Sequence, residues 1–320
     1  YTGNGSPATH ELGFRPNFVW GKRRSATQNH WLINDVGNIN KRLATDTNES
    51  EQPEANGTTF NATSFTTANN DLFINNNSTY VVWAWKGNGT GTAVSNTNGT
   101  ITSSVSANPA AGFSIVSWTH GSGSQSIGHG LSQKPDMIIV KGRSNVSSWW
   151  TWHKGLSSET QSFIHVNTTS AAGANVNAWN NQAPTASVFY QKEYILSNND
   201  TGIAYCFHSV DGYSKVGSYT GNGSADGPFV HCGFRPKFVM AKVSSAGGNW
   251  RMLDAVRSID NPVGDTLYAN NSIGEEVYDA YDFLSNGFKL KQTDGDVNGS
   301  GQTYIFIAFA ETPFKFSNAR

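Results

Sequence analysis

Apolar residues in this chain fall in short runs rich in aromatic and β-branched side chains, separated by clusters of Gly, Asn and Ser. Helical periods are hard to find. Runs of this composition between turn-forming residues are the signature of strands. Residues Phe113 to Trp118, Met137 to Lys141, Thr151 to His153, Ser162 to Val166 and Ile203 to Phe207 are each predicted as one. Asn4-Gly5, Asn222-Gly223, Asn286-Gly287 and Asp294-Gly295 supply residues that accept positive φ in hairpin turns. Many short strands at fairly even spacing predict an all-β chain of antiparallel sandwiches or jelly rolls.

The pattern also repeats. Arg15-Pro16-Asn17-Phe18-Val19-Trp20-Gly21-Lys22 returns as Lys134-Pro135-Asp136-Met137-Ile138-Ile139-Val140-Lys141, and again as Arg235-Pro236-Lys237-Phe238-Val239-Met240-Ala241-Lys242. Each copy is a basic residue, a proline, an apolar run and a lysine. Tyr1-Thr2-Gly3-Asn4-Gly5-Ser6 returns as Tyr219-Thr220-Gly221-Asn222-Gly223-Ser224. A buried strand ends each copy, from Thr79 to Trp85, Gly202 to Phe207 and Thr303 to Phe309, and Tyr80, Tyr205 and Tyr304 are expected on it.

An internal repeat decides what counts as a fold unit. Three tandem related antiparallel β-sandwich units, jelly-roll or lectin-like, are therefore expected over residues 1–89, 112–216 and 217–320. Residues 90–111 read as a Gly/Ser/Thr/Asn linker. The short junction at Ser209 to Tyr213 is expected to pack units two and three together, with unit one more loosely tethered. Because Tyr1 stands partway into the first copy, an upstream portion is expected.

Charge adds exclusions. With 22 Lys+Arg against 23 Asp+Glu there is no basic field for nucleic acid. No apolar run approaches the roughly 18 residues of a membrane-spanning helix, so no membrane insertion is expected. Only 14% of residues are charged while 12% are aromatic, which describes a folded protein with an uncharged polar surface. Cys206 and Cys232 sit in apolar surroundings and are expected as free buried thiols.

No constellation supplies a catalytic set. Asp294-Gly295-Asp296-Val297-Asn298-Gly299 opens like a calcium loop, but Ile305 stands where the closing bidentate carboxylate belongs, so a polar turn is expected and no metal. Gly87-Asn88-Gly89-Thr90-Gly91 lacks the Gly-Lys-Ser/Thr of a phosphate loop. No cofactor is implied. The eight histidines lack zinc spacing, and His120 and His129 flank a glycine turn, where a surface role is expected. Asp35 and Asp254 fall at matching places and read as turn caps. Glu49, Glu51, Glu275 and Glu276 read as solvated loop residues. No nucleophile elbow occurs, and no catalytic residue is assigned.

Trp149, Trp150, Trp152 and Trp179 are concentrated in the second copy. In a strand Trp150 and Trp152 share a face, and an exposed member of the set is the candidate sugar-stacking platform. Core filling competes with that reading, since Trp is highly buried on average.

The run Gly217 to Val230, with Gly233-Phe234-Arg235-Pro236, resembles a family of tailed-bacteriophage virion proteins, common in marine and cyanobacterial phages and labelled tail fibre, capsid fibre or lectin-like virion protein. So do Asp282 to Leu290 and the ending Ala308 to Lys315 with Ala319-Arg320. The resemblance is strongest from about Phe113 to Arg320. It implies a β-rich lectin-like sandwich on the virion surface and carries no agreed binding residues. Three functions follow as expectations. The first is a structural appendage that binds a host-surface glycan or receptor without turnover. The others are a tailspike depolymerase and a purely structural capsid-decorating protein. Other virion proteins are the expected partners. Fibres that the chain resembles are commonly homotrimers, and open sheet edges give copies a place to meet.

Overall fold

A computed structural model describes residues 1–37, 39–54, 57–67 and 73–311. Among the described residues the chain is all-β, with antiparallel strand pairs and one 3-10 turn at Pro109–Ala111. The last residues of the phage-like ending, Thr312 to Arg320, lie outside the described residues.

Each repeat of the proline motif delivers a strand that ends near its lysine: Phe18–Arg23, Met137–Gly142 and Pro236–Val243. We call these the lysine strands. Each pairs on one side with a following strand, Trp31–Asn34, Trp150–His153 or Arg251–Asp254. On the other side stands a closing strand, Tyr80–Trp85, Thr201–Phe207 or Thr303–Ala310. The closing strand of the second stretch is covered by an opening strand, Phe113–Thr119, and that of the third by Ser214–Thr220.

The runs are apolar at successive positions because these strands are buried on both faces. Phe238, Met240, Ile305 and Ile307 point to one core, while Val239, Ala241, Phe306 and Ala308 point to another. The first and second stretches alternate the same way. Outer layers cover the second set of faces. They are formed by pairs such as Thr9–Glu11 with Ser64–Thr66, Gln125–Gly128 with Val188–Gln191, and Phe229–His231 with Gly287–Leu290.

The inner faces of all three stretches meet in one shared core. Trp85, Phe207 and Phe309, the corresponding residues near the ends of the three closing strands, form a triangle. Their ring centroids lie 6.4, 5.7 and 6.2 Å apart. Such separations suit edge-to-face contact, adding about 0.5–1.5 kcal/mol per pair beyond area burial. Phe18 stacks on Tyr205 at 4.4 Å, so the first stretch is as embedded as the others. The expectation of a loosely tethered first unit is corrected here.

Three joints of one design close the arrangement into a ring. Ser147 N donates to Asn48 O at 2.9 Å, Gly248 N to Thr169 O at 2.8 Å and Gln28 N to Ser272 O at 2.9 Å. Three residues further on, Glu51 N donates to Arg143 O, Ala172 N to Ser244 O and Glu275 N to Arg24 O. The second stretch thus docks on the first, the third on the second, and the first on the third.

Two boundaries move. Residues 90–111, expected as a linker, carry the strands Val94–Asn96 and Ser103–Asn108, which extend the second sheet beyond Phe113–Thr119. Ser and Thr suit such an edge strand, and polarity alone disguised it as linker. The third sheet begins at Ser214 rather than at residue 217. The tyrosine alignment also shifts. Tyr80 and Tyr304 pair with Arg23 and Val243, the residues after the lysines, whereas Gly202 holds that register in the second stretch. Trp118 fills the space beside Gly202, where Tyr219 stacks on Tyr304 in the third. Tyr205 therefore faces the shared core while Tyr80 and Tyr304 face outer ones.

Candidate functional site

Three of the four candidate tryptophans are interior. Trp149 is fully buried, and its Nε1 donates across the first joint to Ala44 O at 2.8 Å. Trp152 Nε1 donates to Glu159 O at 2.7 Å and Trp179 Nε1 to Ser162 O at 2.8 Å, both from buried rings. Each ring fills core space and spends its one N–H on a backbone carbonyl, so none is a stacking platform. Those three assignments are corrected.

Trp150 remains half-exposed. It lies on the following strand opposite His165, whose ring centroid is 4.4 Å away. Phe163 at 4.6 Å and Tyr194 at 5.3 Å complete an aromatic cluster. Tyr194 is 44% exposed, so the cluster reaches solvent. His165 Nδ1 is buried without a hydrogen-bond partner, and burial holds this imidazole below its ordinary pKa. At neutral pH it is an uncharged ring 4.4 Å from Trp150 and 5.2 Å from Phe163.

The corresponding positions elsewhere are closed by arginine. Arg42 lies 4.4 Å over the Trp31 ring, and Arg251 itself takes the place of Trp150, 4.5 Å over Tyr278. A guanidinium over an aromatic face occupies the surface a sugar would use. The Trp150 cluster has no such cation among the described contacts.

Buried ion pairs sit elsewhere, at the first and third joints. Arg143 Nε and Nη2 reach both Glu51 oxygens at 3.0 and 2.9 Å. Arg24 does the same to Glu275 at 2.8 and 2.6 Å. Arg257 joins Glu275 to Asp254, at 2.8 and 2.6 Å. Burial pushes the Glu275 carboxyl up, but hydrogen bonds from Arg24 and Arg257 outweigh it and leave the group below its ordinary value. The solvated-loop reading of Glu51 and Glu275 is therefore corrected. Asp254 does cap a turn, accepting from Val256 N and Arg257 N.

The three motif lysines are fully buried. Lys141 Nζ donates to Asn48 O and Ser147 Oγ, both at 3.3 Å, and Lys242 Nζ to Thr169 O at 3.1 Å. Lys22 Nζ donates to Arg23 O at 2.7 Å. Burial pushes each ammonium down to about 8. Their repetition at all three joints marks them as structural. His120 and His129, expected at the surface, are buried too. His129 Nδ1 accepts from Leu131 N at 3.1 Å, which pins the glycine turn from inside.

In the Asp294 to Gly299 turn, Asp296 accepts from Asn249 Nδ2 at 3.0 Å and lies 3.6 Å from Arg251. Asn298 is buried, its Nδ2 shared by Asn222 Oδ1, Ser224 O and Gln292 O. The turn is a polar staple, and its carboxylate is already engaged by protein donors.

Three joined β stretches, the open Trp150 cluster and two joints held by buried ion pairs define an all-β scaffold among the described residues. The family model described as "Domain of unknown function (DUF7483)" matches residues 1–313, and the chain belongs to that family. No curated protein matches it.

Proposed function

We propose that the chain is a non-catalytic structural appendage of a virion surface, a tail or capsid fibre component that recognises host-surface glycans through Trp150, Tyr194, Phe163 and His165. The observation that carries this reading is the open aromatic cluster at the one of three corresponding positions that no arginine covers. Aromatic faces beside a neutral imidazole suit the apolar face of a sugar ring, with its hydroxyls turned to water at the rim of the cluster. The likeness of the chain to phage virion proteins, strongest from about Phe113 to Arg320, supports the location. The uncharged Asn, Thr and Ser surface supports an extracellular setting, and assembly as a homotrimer belongs to the same reading.

The test is binding of purified protein to host-surface polysaccharide, with Trp150→Ala and Tyr194→Ala alongside. Each substitution is expected to weaken binding by about tenfold or more, equivalent to about 1.4 kcal/mol. Thermal unfolding serves as the control for each variant's fold. Unchanged binding by both variants would remove the cluster from the reading. Released oligosaccharide would favour the depolymerase, and absence of all host binding would favour a purely decorative capsid protein.

A further inference from the structure

The Trp150 cluster occupies one end of a longer face. In the strand Ser162–His165, Ser162 and Ile164 are buried, while Phe163 and His165 are half-exposed on the opposite side, beside Trp150. The ladder continues beyond the pair of Ser162 with Ala174, because Asn175 N donates to Gln161 O at 3.0 Å. Strand parity therefore puts Gln161 on the same side as Phe163 and His165. From Gln161 to His165 the row runs about 13 Å at roughly 3.3 Å per residue, longer than a single sugar ring. At its middle the Phe163 ring rests on Gly173, where a Cβ would come within 2.8 Å of the ring's Cζ atom. Glycine leaves the ring its place.

The end of the row away from Trp150 is built from amides that are held in position. Gln161 Nε2 donates to Asn181 Oδ1 at 3.0 Å, and Ser124 Oγ lies 2.8 Å from Asn180 Oδ1. Both asparagines have left-handed backbone, with φ of 53° at Asn180 and 52° at Asn181. Among the described residues no other two adjacent non-glycine residues share it. Asparagine tolerates this conformation better than most side chains, yet two in succession are strain that the surroundings must maintain, and such strain gathers where ligands are held. Here the neighbouring Trp179 anchors the segment through Nε1 on Ser162 O at 2.8 Å. Among the described contacts each asparagine uses only its side-chain oxygen, which leaves Nδ2 to donate, and Gln161 leaves Oε1 to accept. Neighbouring sugar hydroxyls, each both donor and acceptor, match such a set.

The face carries no formal charge at neutral pH, since the His165 imidazole is neutral there. Two charged residues sit on the segment that carries Tyr194, and both are engaged by the protein. Lys192 Nζ donates to Asn177 Oδ1 at 3.0 Å, and Glu193 Oε1 accepts from Gly123 N at 3.0 Å.

On the glycan reading of the Trp150 cluster, we propose that this face is an elongated site for an uncharged oligosaccharide. One sugar stacks at Trp150 and Tyr194, and a later one in the same chain is hydrogen-bonded by Gln161 and Asn181 on the other side of Phe163.

The probe is an array of neutral and acidic bacterial surface polysaccharides, followed by NMR titration of the intact chain with di- to hexasaccharide fragments of the polymer bound best. A neutral polymer is the expected ligand, with affinity rising about tenfold or more from disaccharide to tetrasaccharide and then levelling off. Gln161→Ala, and Asn181→Gly, which keeps the left-handed backbone, should each weaken the longer fragments about threefold to tenfold for lost hydrogen bonds. Neither should change disaccharide binding, which also shows that each variant is folded. Trp150→Ala should weaken every fragment. Three results would overturn the proposal and leave the cluster itself standing: affinity indifferent to fragment length, both amide variants binding long fragments as the parent does while Trp150→Ala does not, or retention of acidic polymers alone. If no polysaccharide binds, or Trp150→Ala changes nothing, the glycan reading falls and this proposal with it.

Discussion

Lys141 offers the sharpest test of how the joints are built. Its ammonium is buried where the second stretch docks on the first, and burial alone lowers it from 10.5 to about 8. A base whose folded pKa is depressed binds its proton more weakly in the folded state. Between about 8 and 10.5 the unfolded chain therefore holds more protons, and stability rises with pH through that window. At about 1.4 kcal/mol per pKa unit the full penalty, present below pH 8, is about 3 kcal/mol. Lys141→Met keeps the length and removes the charge. Asn48 O, one of the two acceptors, retains its bond from Ser147 N at 2.9 Å, so little is left unpaired. The variant should be more stable than the parent at pH 7.5 by about 1–3 kcal/mol, the lost hydrogen bonds offsetting part of the gain. That advantage should shrink towards zero or reverse by pH 10. Urea midpoints of both proteins across this range supply the measurement. Taking the difference cancels the buried tyrosines and cysteines, whose raised pKa values push overall stability the opposite way in alkali. A difference that stays constant from pH 7.5 to 10 would refute the reasoning.

Two further outcomes follow from the packing. Glu51→Ala should cost about 3–5 kcal/mol in urea unfolding, because it strands the buried Arg143 guanidinium. The pair Glu51→Ala with Arg143→Ser copies the Ala172 and Ser244 of the corresponding joint, and should cost clearly less than the single change. Phe306→Ala should cost about 3–5 kcal/mol, since this 2% exposed ring lies 5.2 Å from Phe288 in the outer core. A loss below about 1 kcal/mol would show that the strand packs differently.

The strands were legible because each apolar run is bounded by turn residues, and the threefold motif marked the lysine strands. What the sequence concealed was which residues meet across the joints. Arg143 and Glu51 are 92 positions apart and Arg24 and Glu275 251, so no local pattern distinguishes such carboxylates from loop ones. Likewise, Trp150 and Trp152 do share a face, as strand parity requires, but parity is silent on which end of that face is covered. The outer layer buries Trp152 and leaves Trp150 at its rim. The glycine at position 202 hid the true register, because a Trp118–Gly202 pair replaces a Tyr–Tyr pair without any resemblance in sequence.

The joints of the ring also differ in how the chain connects them. The peptide chain itself runs through the first and second joints, but not through the one where the first stretch docks on the third. The clasp of Arg24, Glu275, Arg257 and Asp254 therefore joins the first and third stretches without a peptide link between them, through ion pairs and the backbone bonds of Gln28 and Glu275.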